Sequence, residues 1–459
     1  MKSIKGPQTP SIFQQMQWIL NPIQTMETCV KKYGDIFQLK IGIAGKPLVY
    51  VSNPEAIQEI LTKDNSEYNA PASPILKSMV GEKSIFLLEG DRHRRERKLL
   101  MPPFHGERMR NYGELICNLT RQSAKELPRG EKFIARKLMQ NITLQVILQA
   151  VFGLYDSPRL SQIRAILANF LELTASPLRS TLIFFPFLQQ DWGSWSPWGR
   201  HQRQMQRLDE FLYAEINERR AQLDPHRNDI LTLMLLARDE SGQGMTNQEI
   251  RDELITLLTA GHETTATALA WAVYWVHRQP EVHQKLMQEL ETLETDADSM
   301  TIFRLPYLTA VCQETLRIYP VGMLTFPRVA TKPLELHGYH LEADTLIVGC
   351  IYLAHHREDL YPEPKKFKPE RFLERKFSAY QYLPFGGGSR RCLGMALANF
   401  EMRLVLATLL SNFEMELAEN QPVKPQRRGV TLGPAGGVKM VMKGERKPIE
   451  KKYSAVATV

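Results

Sequence analysis

Residues 384–394 read Pro-Phe-Gly-Gly-Gly-Ser-Arg-Arg-Cys-Leu-Gly, and an apolar, helix-favouring run from Met395 to Phe413 follows them. Cys392 therefore stands just before the predicted start of a helix. There its sulfur meets the first backbone N–H groups and the positive end of the helix dipole. Both features favour the thiolate, which is the form of cysteine that binds metal. The glycines allow a tight turn and let the backbone approach a flat ligand closely.

The same stretch resembles the haem-binding loop of the cytochromes P-450, whose pattern is F-x-x-G-x-R-x-C-x-G. The residues that match are Phe385, Gly388, Arg390, Cys392 and Gly394. The resemblance covers nearly the whole chain and implies a haem b cofactor (iron protoporphyrin IX), with Cys392 as the metal ligand. A buried cysteine beside an ordinary glycine turn is the alternative, and the complete pattern favours the haem.

The composition is typical of a soluble globular protein. Of the 459 residues, 43% are hydrophobic and 24% charged. The five cysteines show no paired framework, which fits a reducing compartment.

The first 17 residues are polar, and no apolar run long enough for a membrane span or a secretory signal follows them. This start resembles the soluble bacterial members of the family. We therefore expect a cytoplasmic protein without a transmembrane anchor, for which peripheral contact with a membrane stays open.

The charge balance excludes some partners. The chain has 58 basic and 50 acidic residues, a net charge of +8, and this diffuse excess can steer an acidic partner. Basic residues cluster at 92–98 and at 390–391, but no basic platform is interleaved with aromatic residues, so nucleic-acid binding is not expected. No Gly-Lys-Ser/Thr follows the triple glycine, and no G-x-G-x-x-G follows a strand. We therefore predict neither a phosphate loop nor a nicotinamide or flavin site.

Hydrophobic periodicity predicts a mainly α fold with a smaller β portion. Short strands are predicted within residues 34–52, and strands and turns within 327–348. The clearest helix begins with a capping box at Thr246–Glu249 and runs for about 30 residues, until Gln279–Pro280 ends it. Its second half is apolar all round, which predicts a position at the centre of the protein. The resemblance implies a triangular helical prism around a haem, with small β-sheets, as one domain over residues 1–459.

Residues 260–265 of this helix, Ala-Gly-His-Glu-Thr-Thr, resemble the family's oxygen-binding segment, A-G-x-[DE]-T-[TS]. The resemblance implies that Gly261 makes room for dioxygen, that Thr264 hydrogen-bonds it, and that Glu263 relays protons from solvent. Glu263 and Thr264 are thus the candidate catalytic residues. The alternative is that Thr264 only bonds its own helix backbone, which at most bends a helix.

Two further motifs imply a structural and a cofactor-binding role. Glu314 and Arg317 are spaced to share a helix face. They resemble the family's E-x-x-R pair, which Arg371 would join as a buried supporting cluster.

His93 and Arg97 also project together and resemble a W-x-x-x-R motif that binds a haem propionate. Here His93 replaces tryptophan, although imidazole can still donate a hydrogen bond. The alternative is a solvated helix face. The full predicted set of cofactor-binding residues is Cys392, His93, Arg97, Arg328, Arg390, Phe385 and Gly386.

The resemblance implies a haem-thiolate monooxygenase that uses dioxygen to hydroxylate a C–H bond of a lipophilic small molecule. Two electrons would come from a separate ferredoxin or flavodoxin with its reductase. By family position, the substrate would contact Ala260, Val321, Met323 and Pro434. His93 and the preceding Gly-Asp-Arg resemble the branch of the family that hydroxylates retinoic acid. A peroxide-dependent peroxygenase and a non-catalytic haem-based sensor stay open as alternatives.

Overall fold

The computed structural model describes residues 2–42, 46–63, 66–71, 74–104, 108–153, 158–175, 190–193, 196–294 and 297–446. The fold is mainly helical with small sheets, as the sequence predicts. The helices are α1 (Ser11–Leu20), α2 (Pro22–Tyr33), α3 (Pro54–Thr62), α4 (Pro74–Val80), α5 (Gly90–Leu100), α6 (Arg108–Lys125), α7 (Ala135–Phe152), α8 (Pro158–Ala175), α9 (Pro197–Ala221), α10 (Ile230–Leu236), α11 (Asn247–Arg278), α12 (Pro280–Glu291), α13 (Ser299–Phe303), α14 (Pro306–Ile318), α15 (Ile351–His355), α16 (Arg371–Glu374) and α17 (Met395–Asn412).

The strands form small, separate sheets. They are β1 (Ile36–Leu39), β2 (Leu48–Val51), β3 (Tyr68–Asn69), β4 (Lys132–Ile134), β5 (Arg328–Ala330), β6 (Leu334–Leu336), β7 (Tyr339–Leu341), β8 (Leu346–Gly349), β9 (Phe413–Leu417), β10 (Pro425–Arg428), β11 (Thr431–Pro434) and β12 (Lys439–Glu445). The largest sheet has the order β1-β2-β8-β5-β3, with β2 and β8 parallel. A three-stranded sheet has the order β4-β12-β9, and β6-β7 and β10-β11 are hairpins.

Helix α11 is the central element that the sequence predicts. Its capping box is formed: Thr246 Oγ1 accepts a hydrogen bond from the Glu249 N–H at 3.2 Å, and Glu249 Oε2 accepts one from the Thr246 N–H at 2.7 Å. The helix packs against α7 and α17, and its second half, which includes Trp271, is almost entirely buried. Burial on all sides explains why that half carries apolar residues around its whole circumference.

Helix α17 begins at Met395, directly after the cysteine loop, and ends at Asn412. Both bounds agree with the apolar run in the sequence to within one residue. Among the described residues, no helix combines the length and the apolar character needed to cross a membrane. All five cysteines are free thiols, and only Cys392 is exposed.

Candidate active site

The loop before α17 is shaped by its glycines. Gly386 and Gly388 adopt positive φ angles of 66° and 67°, a conformation that side chains other than glycine rarely tolerate. A Cβ atom at position 388 would lie 2.3 Å from the carbonyl oxygen of Leu61, at the end of α3. The loop closes when the Cys392 N–H donates to the Phe385 carbonyl oxygen at 3.0 Å. Glycine is therefore required at position 388 both for the turn and for the close approach to α3.

The environment of Cys392 differs in one respect from the expectation. The N–H of Gly394, at the start of α17, lowers the pKa of the thiol, and so do the cations Arg97 and Arg391. However, desolvation by the neighbouring protein atoms is the largest effect, and it raises the pKa of Cys392 above its ordinary value. The N–H group at the helix start thus acts in the predicted direction, but desolvation outweighs it in the metal-free chain. A coordinated metal deprotonates a thiol outright, so the sulfur remains a suitable ligand.

The segment between α4 and α5 links the central helix to this loop. Three consecutive residues of the segment are bonded to α11. The Lys83 N–H donates to Asp252 Oδ2 at 2.9 Å, the Ile85 N–H donates to Glu253 Oε1 at 2.6 Å, and the hydroxyls of Ser84 and Thr256 are 2.7 Å apart. These α11 residues were not among the candidates predicted from the sequence. They could have been recognised because three polar side chains, Asp252, Glu253 and Thr256, lie within two turns of a helix that is otherwise buried.

Arg390 holds the other side of the same segment. Its guanidinium donates to the carbonyl oxygens of Ile85, Phe86 and Leu88, at 3.4, 3.3 and 2.5 Å. Its Cζ also lies 5.1 Å from the ring centroid of Phe326, which stacks on the ring of Phe86 at 6.3 Å. Arg390 therefore ties the cysteine loop to the segment that is bonded to α11, a structural role beside the predicted contact with a propionate.

Arg97 is the predicted cofactor residue whose surroundings fit an anionic ligand best. It lies half-buried on α5, and its charge interacts with that of Cys392. The described residues offer its guanidinium no hydrogen-bond acceptor and no ion-pair partner. Desolvation without an anion lowers the pKa of Arg97. A carboxylate such as a haem propionate would supply the missing acceptor next to the cysteine.

The other predicted propionate residues lie in the interior. His93 is one turn before Arg97 on α5 and is 2% exposed. Arg328, in β5, is also buried, and its Nη1 donates to the carbonyl oxygens of Phe326 and Pro327 at 2.9 and 3.2 Å. Phe326 is the residue on which Arg390 stacks, so Arg328 and Arg390 meet at one short segment.

The predicted oxygen-binding face of α11 is the exception to the burial of this helix. Ala260 is exposed and Thr264, one turn later, is half-buried, whereas all residues of the next part of the helix, 265–274, are buried. The Thr264 hydroxyl donates to the Ala260 carbonyl oxygen at 2.6 Å, which is the backbone bond that the alternative interpretation expects.

The surroundings of Gly261 differ from the expectation that this residue makes room for dioxygen. A Cβ there would lie 3.2 Å from Ile147 Cδ1, so this glycine allows close packing against α7.

Glu263 is held by α7. Arg136 Nη1 donates to Glu263 Oε1 at 2.5 Å, and Gln140 Nε2 donates to Glu263 Oε2 at 2.6 Å. The carboxylate is 19% exposed, so it lies between solvent and the helix interior. Arg136 and Gln140 were not predicted from the sequence. Their spacing of four residues places them on one helix face, but no nearby residue indicates that their partner is Glu263, which is 127 residues from Arg136.

The predicted supporting cluster is confirmed. Glu314 is fully buried and accepts hydrogen bonds from Arg317 Nε at 2.6 Å and from Arg371 Nε at 3.1 Å. Arg317 Nη1 also donates to the carbonyl oxygen of His355 at 2.9 Å. The imidazole Nε2 of His355 in turn accepts from the Leu383 N–H at 2.9 Å. The cluster thus fixes the backbone two residues before Phe385, where the cysteine loop begins.

The predicted substrate contacts separate into two groups. Val321 and β11 lie together, because the Leu432 N–H donates to the Val321 carbonyl oxygen at 2.9 Å, and Pro434 ends the same strand. Met323 does not fit its predicted role. It is 1% exposed and packs in the hydrophobic cluster against the β1-β2-β8 sheet. The next residue, Leu324, is half-buried and packs against the same cluster.

A buried carboxyl pair joins α5 to α11. Glu96 is 1% exposed and Glu253 is fully buried, and their charges interact. Desolvation, reinforced by Glu249, raises the pKa of Glu96 to about 7, although Arg95 opposes this shift. Desolvation also raises the pKa of Glu253 well above its ordinary value. The folded protein therefore holds protons here that the unfolded chain has already released at neutral pH.

We expect replacement of Glu96 by glutamine to stabilise the protein at pH 8. Between the ordinary pKa and about 7, the folded state binds the proton and the unfolded state does not, so wild-type stability falls as the pH rises through this window. Glu96→Gln should raise the unfolding free energy at pH 8 by up to about 3 kcal/mol and change little at pH 4.5. Denaturant unfolding across pH 4.5–8 measures this effect. The exposed Glu335→Gln serves as control, and an unchanged pH profile for Glu96→Gln would contradict the expectation.

The chain is similar to known proteins of one family. A sequence profile described as cytochrome P450 matches residues 4–440. Two proteins of Mycobacterium tuberculosis, named cytochrome P450 135B1 and cytochrome P450 138, are each 34% identical to the chain. The first alignment covers 96% of this chain and 91% of that protein, and the second covers 95% of each. A solved structure, that of retinoic acid bound cyanobacterial CYP120A1, has a TM-score of 0.82 and 24% identity, and the match covers 94% of this chain and 96% of that one.

An exposed cysteine at the start of a helix, backed by a buried Glu–Arg–Arg cluster, fits the class of haem-thiolate proteins. The chain belongs to the cytochrome P450 family. Its cofactor is accordingly haem b, and its activity is that of a P450 monooxygenase, which uses dioxygen, a redox partner and a lipophilic substrate. The residues present fit this cofactor, since they provide a sulfur ligand and, beside it, the cation Arg97, which has no anionic partner among the residues that the structure describes.

Proposed function

We propose that this protein hydroxylates a C–H bond of a retinoid such as retinoic acid, within a single domain of residues 1–459. The observation that carries the monooxygenase assignment is the exposed Cys392 thiol at the start of α17. Support for a retinoid comes from the Gly-Asp-Arg-His run that ends at His93, and from the retinoic acid bound in the structurally similar cyanobacterial protein. The predicted contacts Ala260, Val321 and Pro434 are apolar and suit a lipophilic ligand.

The chain's own residues have distinct roles in this proposal. Haem held by a thiolate supplies the cleavage of the O–O bond and the C–H hydroxylation. Cys392 donates its sulfur, and Arg97 pairs with a propionate. The segment between α4 and α5 keeps its place because α11 bonds one side of it and Arg390 the other. The Glu314 cluster keeps the backbone before the cysteine loop from shifting.

Glu263 and Thr264 deliver protons in this proposal. The Glu263 side chain is 19% exposed, so water reaches its carboxylate, while Arg136 and Gln140 set its orientation. Thr264 Oγ1 donates to the Ala260 carbonyl oxygen in the structure. Rotation about χ1 would direct the same proton away from the helix backbone, toward the side on which Ala260 is exposed. Thr264 therefore holds its proton on the hydroxyl oxygen at the interior side, and Glu263 stands on the solvent side of it.

Replacing Thr264 with alanine should uncouple the reaction. The variant lacks the hydroxyl that donates the proton, so product formed per reductant consumed should fall about a hundredfold, the usual size of a general-acid contribution. Product and reductant are measured together in the reconstituted system. Thr265→Ala is the matched control, because Thr265 Oγ1 donates only to the Gly261 carbonyl oxygen, at 3.1 Å, and should keep its coupling.

Two outcomes would contradict the assigned role or reaction. If Thr264→Ala keeps the coupling of the wild type, Thr264 delivers no proton. If the wild type forms product from peroxide but not from dioxygen and reductant, the protein is a peroxygenase.

The retinoid is tested separately by titrating the haem protein with retinoic acid. We expect a saturable change in the haem absorbance, and we expect Ala260→Phe to weaken binding at least about tenfold because the larger side chain occupies the exposed face of α11. A titration that leaves the haem spectrum unchanged would exclude retinoic acid as the ligand. It would leave the monooxygenase assignment intact.

We further propose that a separate ferredoxin or flavodoxin, with its reductase, supplies the electrons and docks on the side of the cysteine loop. Arg391 is exposed there, whereas Arg390 is turned inward onto backbone carbonyl oxygens. An exposed cation attracts an acidic partner. Charge reversal at Arg391 that leaves the rate of reduction unchanged would exclude this docking site.

A further inference from the structure

Helix α1 turns an apolar face toward solvent. Four of its large apolar side chains are exposed: Ile12 is 51% exposed, Phe13 61%, Met16 47% and Leu20 66%. At 100° per residue these four positions share one face of the helix. An apolar face usually packs against the core of a soluble protein. The ten residues of α1 include no charged residue at all.

The buried face of α1 is held partly by polar contacts. Gln14 is 1% exposed. Its Oε1 accepts from the Lys40 N–H at 2.8 Å, and its Nε2 donates to the carbonyl oxygens of Pro7 and Thr9 at 3.1 and 2.7 Å. Trp18, one turn later, is 8% exposed. These contacts fix the rotation of the helix, so the apolar residues are kept outward by specific bonds.

A further exposed apolar residue lies on an element that is bonded to α1. Val430, in the turn between β10 and β11, is 77% exposed. The same hairpin is joined to α1, because Arg427 Nε donates to the Ile19 carbonyl oxygen at 3.2 Å and its Cζ lies 5.7 Å from the Trp18 ring. We call Ile12, Phe13, Met16, Leu20 and Val430 the α1 patch.

The segments that carry the α1 patch are basic. Residues 2–26 include two lysines and no acidic residue, and residues 421–438 include three basic residues and no acidic one. The exposed lysines of these and the adjoining segments are Lys2, Lys5, Lys31, Lys32, Lys46 and Lys424. The acids nearest in sequence form ion pairs: Glu27 with Lys365 at 2.9 Å, Asp35 with Arg357 at 2.7 Å and Glu419 with Lys439 at 2.8 Å.

We propose that the α1 patch docks the protein onto the surface of an anionic lipid bilayer. An apolar helix face beside lysines is the arrangement that binds the boundary between acyl chains and anionic headgroups. A second copy of the chain is the less suitable occupant, because a two-fold contact through this patch would bring the same lysine-rich segments together. The docking goes beyond the monooxygenase reaction. It would place β11, whose Pro434 and neighbour Val321 are predicted substrate contacts, close to the phase in which a lipophilic substrate dissolves.

Cosedimentation of the haem-loaded protein with vesicles tests this proposal. We expect binding to vesicles of phosphatidylcholine with phosphatidylglycerol, and at least about tenfold weaker binding to phosphatidylcholine alone or at 0.5 M salt. The double variant Phe13→Ser/Leu20→Ser should bind the anionic vesicles at least about tenfold more weakly than the wild type, since two large apolar contacts are lost. Leu223→Ser/Leu373→Ser, at two exposed leucines elsewhere, is the matched control and should bind as the wild type does.

Three outcomes would overturn the proposal: no binding of the wild type to anionic vesicles, equal binding of the Phe13→Ser/Leu20→Ser variant, or a dimer in solution that this variant abolishes. The last outcome would assign the patch to a second copy. None of these measurements involves turnover, so the monooxygenase assignment is tested independently of them. Unchanged haem absorbance shows that each variant is folded.

Discussion

Replacing Cys392 with serine is expected to abolish monooxygenase activity, with product formation reduced by more than about a thousandfold. Cys392 is the one exposed thiol of the chain and lies at the start of α17, beside the N–H of Gly394. A serine hydroxyl is far less acidic than a thiol and cannot replace the electron donation of a thiolate, which favours O–O cleavage. Product formation and haem content of the purified variant are the measurements.

Cys312→Ser is the matched control for this prediction. Cys312 is buried in the helical core, and burial raises the pKa of its thiol to about 12, so it is not a thiolate at neutral pH. We expect this variant to keep its haem ligation and most of its activity, with at most a loss of stability. Full activity of Cys392→Ser would show that another residue binds the iron.

Replacing Glu314 with alanine should destabilise the fold by about 3–5 kcal/mol. The change would leave the guanidinium of Arg317, which is fully buried, and that of Arg371 without their shared carboxylate. It would also remove the acceptor of the Lys368 N–H, 2.8 Å from Glu314 Oε1. The loss is large because a buried charge without a partner cannot recover its hydration. Denaturant unfolding of the haem-loaded protein, followed by circular dichroism, measures it.

An exposed ion pair provides the comparison. Lys443 Nζ lies 2.6 Å from Glu416 Oε1, and both side chains are about half exposed. We expect Lys443→Ala to change the unfolding free energy by less than about 1 kcal/mol. If Glu314→Ala costs no more than Lys443→Ala, the buried cluster does not support the cysteine loop as the structure indicates.

The features that could be predicted from the sequence depend on residues close together in the chain. The capping box spans Thr246 to Glu249, the glycine-cysteine loop spans eleven residues, and the Glu314–Arg317 pair is one helical turn. Spacing within an element fixes which side chains share a face, so these contacts follow from local geometry. Arg371 joins the pair from 57 residues away, and only the family resemblance identified it.

The contacts that could not be predicted join distant parts of the chain. Arg136 meets Glu263 across 127 residues, Glu253 meets the Ile85 N–H across 168, and Arg390 meets the Leu88 carbonyl oxygen across 302. The burial that raises the pKa of Cys392 likewise exists only once the fold has formed. The prediction of Met323 as a substrate contact meets a similar limit. Its apolar side chain suits both a substrate pocket and the core, and tertiary packing places it in the core.

The optical spectrum of the reduced protein with carbon monoxide tests the central assignment most directly. Because an anionic sulfur ligand pushes electron density onto the iron, we expect the main absorption band to be strongly red-shifted relative to that of a haem held by a neutral nitrogen. A band at the position typical of histidine-ligated haem would contradict the thiolate ligand. So would protein that stays colourless when haem is supplied.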